Sequence, residues 1–400
     1  MTTRRLYYDD AFQREFAAQV LRCEPVRQGE EAAWSVVLKE TAFYPGSGGQ
    51  PNDTGRLGEA RVLDVLDAQD ENDELRHIVD RPLAPGPVTG TIDWPRRFDH
   101  MQQHTGQHLL SAVFESRHGL PTVSFHLGAE VSTIDLRGKE PGEEILEAAE
   151  REANAVIFEV RSVRVRYGTA EELEKLGIRK KVERQGTLRA LEIEGIDLQP
   201  CGGTHVGNTG QIGLMLLRRV TKIRQDWRLE FVCGERARRT ARVDFRKLQG
   251  AAAALTCSPD EIVTAVGRMQ QERESSFRAA RALSERLAVA ESRLLVEEAP
   301  PRADGLRIIA KVFPEAGAED LGLLATALAQ YEGTVALVAA QGFLIFARHA
   351  AVARDMNQLL RETLQSLGGK GGGQPGFARG RLNDPALAEQ ALAEARKRIG

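Results

Sequence analysis

The sequence predicts a multidomain α+β protein in four parts. A small β-rich module over residues 1–92 is followed by an α+β metal-binding domain over 93–250, a long coiled-coil-like helix over 251–300 and an α/β domain over 301–400. Three observations carry this. Short apolar runs broken by Pro, Gly and Asp clusters fill the first 92 residues. A capped pattern with apolar residues at three- and four-residue steps begins at Ser258. Strand-like and helical stretches then alternate toward residue 400.

In chain order, Ala33–Leu38 and Ala60–Leu66 are the clearest strands of the first module, bounded by turn residues. Residues 98–118 form a helix, with Leu109, Leu110, Val113 and Phe114 available for burial. Strand-like stretches over 122–127 and 131–136, an amphipathic helix over 143–158 and an alternating strand over 160–167 follow. Ser258-Pro259-Asp260-Glu261 is a helix start, with serine at the N-cap, proline at the first helical position and glutamate in the capping-box position. The stripe Ile262, Val266, Met269, Ala280, Leu283, Leu287, Ala290 and Leu294 then runs to Ala299-Pro300-Pro301, interrupted at Arg273 and Ser276. Beyond it, 306–312, 334–339 and 343–347 read as strands, and 319–330 and 350–367 as helices. Gly368–Pro375 reads as a phosphate-approaching loop or a flexible linker. It misses the P-loop spacing.

Composition narrows the function classes. A hydrophobic content of 42% supports ordinary cores, and no apolar run long enough to span a membrane or serve as a signal peptide is present. Cys23, Cys201, Cys233 and Cys257 lack disulfide-framework spacing, which fits a reducing, cytoplasmic setting. The net charge of −3 excludes a uniformly basic surface. Basic residues concentrate instead in Lys175–Arg189, including Lys180, Lys181 and Arg184, and in Arg218–Lys247. These segments bracket residues 201–205 and offer a path for a phosphate backbone, or a solvated face balanced by Glu171, Glu172, Glu174, Glu183 and Glu235.

The chemistry-bearing residues are two dyads far apart in sequence, His104-Thr-Gly-Gln-His108 and Cys201-Gly-Gly-Thr-His205. On a helix, positions i and i+4 share a face, so His104 and His108 can reach one ion. Pro200, Gly202 and Gly203 place the second dyad on a tight loop. The four donors suit zinc or a similar soft divalent metal. The first dyad lacks the glutamate of an H-E-x-x-H protease. His100 and His126 are taken as structural.

Met101–Ser111 and Cys201–Val206, together with Thr41-Ala-Phe-Tyr-Pro-Gly-Ser-Gly48-Gly49-Gln50-Pro51, resemble the editing domain of alanyl-tRNA synthetases and of the free-standing AlaX editing proteins. Gly368–Pro375 is similar to the glycine-rich C-terminal domain of the same synthetases. The glycine-rich motif begins near residue 41, leaving no room before it for an aminoacylation domain, so the resemblance is to the long-form AlaX proteins.

The resemblance implies hydrolysis of mischarged tRNA(Ala), chiefly Ser-tRNA(Ala) and also Gly-tRNA(Ala), at a Zn2+ site of His104, His108, Cys201 and His205. It implies that Thr41 detects the serine hydroxyl and that Gly48, Gly49 and Gln50 shape the pocket. Gln50, Gln103 and Cys201 join Thr41 as catalytic candidates; Gln103 and Gln107 flank the ligands and could hold a water or the terminal ribose, a helix-surface role being open for Gln107. Ser47 and Gln374 depart from the family pattern, and Lys370 is left as a phosphate contact. The alternatives are a non-catalytic zinc-stapled tRNA-binding protein and a deacylase of another aminoacyl-tRNA. Ser258–Val296 and the C-terminal domain suggest either dimerisation or recognition of tRNA shape, and a homodimer is expected.

Overall fold

The computed structural model describes residues 2–28, 31–68, 73–179 and 186–399, so Lys180, Lys181 and Arg184 lie outside the described residues. The chain divides into two compact units, residues 1–249 and 250–400.

The first unit opens with a closed antiparallel barrel of Glu15–Gln28, Glu31–Leu38, Leu75–Val79, Ala60–Asp67, Gly55–Leu57 and Gly86–Ile92, in that order. Along Ala60–Asp67, Ala60 and Val62 alternate inward and an irregularity between Val62 and Asp64 shifts the phase, so that Val65 also joins the core with Val36, Leu38, Phe43 and Leu57. Helix α1 (Trp94–His118) follows. Asp93 caps its start, accepting from the Arg96 amide, with Pro95 in the first turn, and Gly119 ends it with a left-handed φ of 66°. Every residue from His100 to Phe114 is buried, so α1 is a central helix and not a surface one. Arg97 anchors it to the barrel. Its guanidinium pairs with the fully buried Asp53 and donates to the Ala11 carbonyl and to that of Ala42, inside the glycine-rich segment.

Helices α1 and α2 (Glu143–Phe158) pack on a four-stranded antiparallel sheet ordered Met215–Ile223, Asp226–Cys233, Ser132–Arg137, Thr122–Leu127. A three-stranded sheet of Val163–Gly168, Leu188–Ile193 and Asp197–Pro200 delivers the second dyad from its last strand. A short helix α3 (Ala170–Lys175) carries a complete Thr169–Glu172 capping box. Helix α4 (Gly234–Leu255) occupies part of the basic stretch. Part of that stretch is neutralised locally: Arg228 pairs with Asp135, Arg236 with Asp99, Arg238 with Glu235 and Arg218 with Asp244.

In the second unit, Ser258 and Glu261 form the expected capping box, followed by one 3-10 turn and α5 (Ile262–Glu298). A five-stranded sheet follows, ordered Arg307–Val312, Thr334–Ala340, Phe343–Arg348, Phe377–Leu382, Gly369–Gln374, with only its first pair parallel. Thr334–Ala340 is buried along its whole length because α6 (Ala318–Leu328) covers one face of the sheet, while α7 (Met356–Leu367) and α8 (Ala388–Ile399) cover the other. The glycine run of 369–373 is neither a phosphate loop nor a linker but an edge strand. A Cβ on Gly371 would stand 2.6 Å from the Gly380 Cα and 2.8 Å from Leu364, so glycine is what lets this hairpin lie close under α7.

Candidate metal centre

The two dyads meet. His104 and His108 project from one face of α1, and one donor atom from each of His104, His108, Cys201 and His205 lies within 4.8 Å of all the others. Cys201 Sγ is 3.4 Å from His104 Nε2 and 3.2 Å from His205 Nε2. Two ligands bound at about 2.0–2.3 Å to one tetrahedral zinc stand roughly 3.3–3.8 Å apart, so the two Cys201 contacts are close to the spacing of zinc ligands and the whole set, within 4.8 Å, needs only a small contraction around an ion. His108 adds a second observation. Its Nε2 is buried without a hydrogen-bond partner, a cost that an ion bound at Nε2 would remove.

Each histidine is aimed by a neighbour. His104 donates from Nδ1 to Gln50 Oε1 at 2.8 Å, leaving Nε2 for the cluster. Thr105 donates its hydroxyl to the Met101 carbonyl and lies 3.4 Å from His205 Nδ1. His108 Nδ1 is 3.5 Å from the buried carboxylate of Asp197, which Arg179 holds at 2.8 Å. Burial pushes the Cys201 thiol up, but His104, His205 and His108 outweigh it and hold Cys201 well below the ordinary thiol range. Burial pushes His108 down, and the Cys201 charge and Asp197 overcome it, raising His108 to about 9. Before an ion binds, Cys201 is therefore a thiolate beside a protonated His108, and that proton must leave for His108 to serve as a ligand.

The loop closes on α1 because it lacks a side chain at one point. A Cβ on Gly203 would stand 2.3 Å from His104 Cε1 and 2.4 Å from its Nδ1. Gln50 then ties the loop down, accepting from the Thr204 amide and donating to the Thr204 hydroxyl at 2.8 Å. The resulting cavity, about 300 Å³, is lined by His104, His108 and Cys201 together with Tyr7, Tyr44, Ser47 and Gly48.

The other expected residues sort differently. Gln50 is buried and spent on holding His104 and Thr204, a positioning task. Gln103 does not fit the expectation that it holds a water or ribose: its amide pairs with both backbone groups of Cys233, at 2.9 and 3.1 Å. Gln107 is buried and donates to Ser111, so it has no helix-surface role. Thr41 is fully buried outside the cavity lining. His77, lowered to about 4 by burial, lies 3.1 Å from the Val36 carbonyl through Nδ1 and 2.9 Å from the Thr41 hydroxyl through Nε2. A neutral ring donating to Val36 must accept from Thr41, whose oxygen also takes the Phe43 amide. The Thr41 proton is therefore committed. His100 is buried and lowered to about 4, first by burial, as suits a structural histidine, and His126 is exposed. Sequence reasoning missed Asp197 and Tyr7, which lie outside the motifs, and assigned no role to Thr105 and Tyr44, which lie inside them, because a residue's position in a motif does not show which partner its side chain faces. Lys370 sits exposed on the glycine strand, beside Arg281, Arg379 and Arg381 in a cavity of the second unit.

No helix among the described residues is long and apolar enough to cross a membrane. Residues 188–228, which include Cys201 and His205, match the family model described as the threonyl and alanyl tRNA synthetase second additional domain. The chain is 30% identical over 386 residues to the alanyl-tRNA editing protein AlaX-L of Pyrococcus horikoshii, covering 94% of each chain. It is 29% identical over 391 residues to the alanyl-tRNA editing protein Aarsd1-A of Xenopus laevis, covering 94% of this chain and 92% of that one. Against the alanine–tRNA ligase of Thermococcus kodakarensis it is 33% identical over 415 residues, which is all of this chain and 44% of the ligase. With both editing motifs in place and likeness running the length of a free-standing relative, the chain belongs to the family of AlaX-L-type alanyl-tRNA editing proteins.

Proposed function

We propose that the protein is a zinc-dependent deacylase that acts in trans on mischarged tRNA(Ala), removing chiefly serine and also glycine. The observation that carries this reading is the four-donor cluster, of which His104, His108 and Cys201 line a 300 Å³ cavity together with Tyr44, Pro45, Ser47 and Gly48 of the glycine-rich segment. A cavity of that size suits one aminoacylated sugar, so the tRNA end enters single-stranded. A synthetase pocket sized for alanine discriminates poorly against glycine and serine, and a second site that hydrolyses the wrong ester resolves the problem.

His104, His108, Cys201 and His205 would hold the zinc. Bound there, zinc supplies Lewis acidity toward a carbonyl, a water or an amine. Gln50 fixes the tautomer of His104 and the position of the loop. The Asp197 carboxylate faces His108 Nδ1 and favours the tautomer that leaves Nε2 bare. Tyr44, Ser47, Gly48 and Phe125 wall the cavity and restrict water. Thr41 acts on serine recognition by holding the glycine-rich segment in register, since its proton already belongs to His77.

The test uses zinc-loaded protein with serine-, glycine- and alanine-charged tRNA(Ala). Loss of serine and glycine but not alanine, abolished in Cys201→Ala, is expected. Retention of all three esters would overturn the reading. One observation favours a second reading: four protein donors can fill a tetrahedral site, making the zinc a structural staple in a tRNA-binding protein. That reading predicts tRNA binding without ester loss. A deacylase of another aminoacyl-tRNA would instead cleave that ester faster than Ser-tRNA(Ala).

A homodimer in the cytoplasm completes the proposal. Leu283, Leu287 and Leu294 are exposed on α5, supporting pairing through that helix. Light scattering is expected to give twice the chain mass of 44.0 kDa, and a value near 44.0 kDa would remove the dimer.

A further inference from the structure

A second cavity, about 610 Å³, adjoins the metal cavity and has no role in the chemistry above. The two share Tyr7 and Tyr8, and His205 is on the wall of the second. An aromatic line runs between them. Tyr44 and Tyr7 meet edge to face at 5.2 Å, Tyr7 and Tyr8 at 4.8 Å, and the Arg189 guanidinium covers the Tyr8 ring at 5.2 Å. Tyr167 continues the line outward. It is 56% exposed, and its hydroxyl donates to the Tyr8 carbonyl at 3.4 Å.

Two polar groups of this wall are unsatisfied. Tyr7 is 1% exposed and its hydroxyl has no hydrogen-bond partner, while the neighbouring Arg5 guanidinium is engaged by Asp67 and Asp73. Arg189 Nε is buried without an acceptor, although its Nη1 donates to the Cys201 carbonyl at 2.6 Å. Buried polar groups without partners mark a place where a ligand supplies them. The chemistry of that ligand follows from the rest of the wall. Tyr8, Tyr167 and the Arg189 plane offer stacking faces, and Arg164 a positive charge at the exposed rim. Asp9 and Asp10 also line the cavity, which disfavours a bare phosphate there and offers acceptors to an amino group or to ribose hydroxyls.

We propose that this cavity seats the unpaired nucleotide preceding the ester-bearing one, its base stacked on Tyr167 and Tyr8 and its polar edge meeting Tyr7 and Arg189. The inference rests on the deacylase reading, because the ester in the metal cavity sets which nucleotide comes next. Arg189 then links the two events: the residue that receives the nucleotide also holds the Cys201 carbonyl.

The test compares the serine ester of adenosine with the serine ester of the trinucleotide CCA, on the full zinc-loaded chain. Tyr167→Ala is expected to raise KM for the trinucleotide ester on the order of tenfold and to move KM for the adenosine ester less than twofold. Tyr167→Phe, which keeps the ring and loses the bond to Tyr8, is expected to match the wild type. Equal effects on both esters, or none on either, would overturn the proposal. If the wild type cleaves neither ester, the deacylase reading fails, and binding of unesterified CCA decides: a drop with Tyr167→Ala alone keeps the subsite, and unchanged binding removes it.

Discussion

Replacing Gly203 by alanine probes the joint between the two dyads. The added Cβ would lie 2.3 and 2.4 Å from two atoms of the His104 ring and 2.9 Å from Gln50 Oε1. The two ring separations fall more than about 1 Å short of van der Waals contact, and the third falls short by roughly half an ångström. His104 cannot swing away, because the ring is buried in a helix packed on all sides and is held through Nδ1 by Gln50. The loop must retreat instead, carrying Cys201 from its 3.4 Å contact with His104. Loss of a positioning contact typically weakens metal binding 10- to 100-fold, and this displacement moves a ligand itself, so a loss of roughly 100-fold is expected. Competition with a chromophoric chelator measures it. Gly202→Ala is the control: its Cβ would meet only the Tyr8 hydroxyl, at 3.7 Å, and its φ is not left-handed. Zinc affinity within twofold of wild type for Gly203→Ala, or equal losses in both variants, would refute the reasoning.

Three further outcomes follow from the geometry. Thr41→Val leaves the buried His77 ring without a donor, so unfolding should show a loss of about 1–3 kcal/mol; full stability would contradict the bond, and an altered serine-to-glycine cleavage ratio would show how far the segment's register governs selectivity. The folded His77 value of about 4 lies below the unfolded value near 6.5, so as pH falls the unfolded chain binds the proton first. Stability should then drop by up to about 1.4 kcal/mol per pH unit between those values, and His77→Gln should lack that component of the slope in urea titrations; identical slopes would contradict it. Asp197→Asn should weaken zinc 10- to 100-fold in chelator competition while the Cys201→Ala variant loses it further; unchanged affinity would show that His108 is oriented without the carboxylate.

The metal ligands were legible because each pair is local: i and i+4 on a helix, and two ends of a glycine turn. Their meeting required a reason for closeness, and the glycines of the second dyad supplied it, with Gly203 the one that touches His104. The partners of the ligands were not legible. Gln50 reaches His104 across 54 residues and Asp197 approaches His108 from another strand, and neither pairing leaves a period in the sequence. Gln103 and Gln107 misled because adjacency to a ligand on a buried helix leads as readily into the protein as into the cavity. The run Gly369–Gly373 misled for a related reason: glycine marks both a mobile loop and a strand that another backbone approaches, and the position of Leu364 above it decides. On α5 the apolar stripe was visible, but the buried face is Ala288, Ser292, Leu295 and Val296, set by the α/β domain that packs on its last turns.

The most direct test of the central claim is zinc K-edge absorption on the purified, zinc-loaded chain. One metal per chain, with a single sulfur at about 2.3 Å and three nitrogens at about 2.0–2.1 Å, is the result expected of Cys201 with His104, His108 and His205. A spectrum without sulfur, or one unchanged in Cys201→Ala, would contradict the assignment of these four residues as one metal centre.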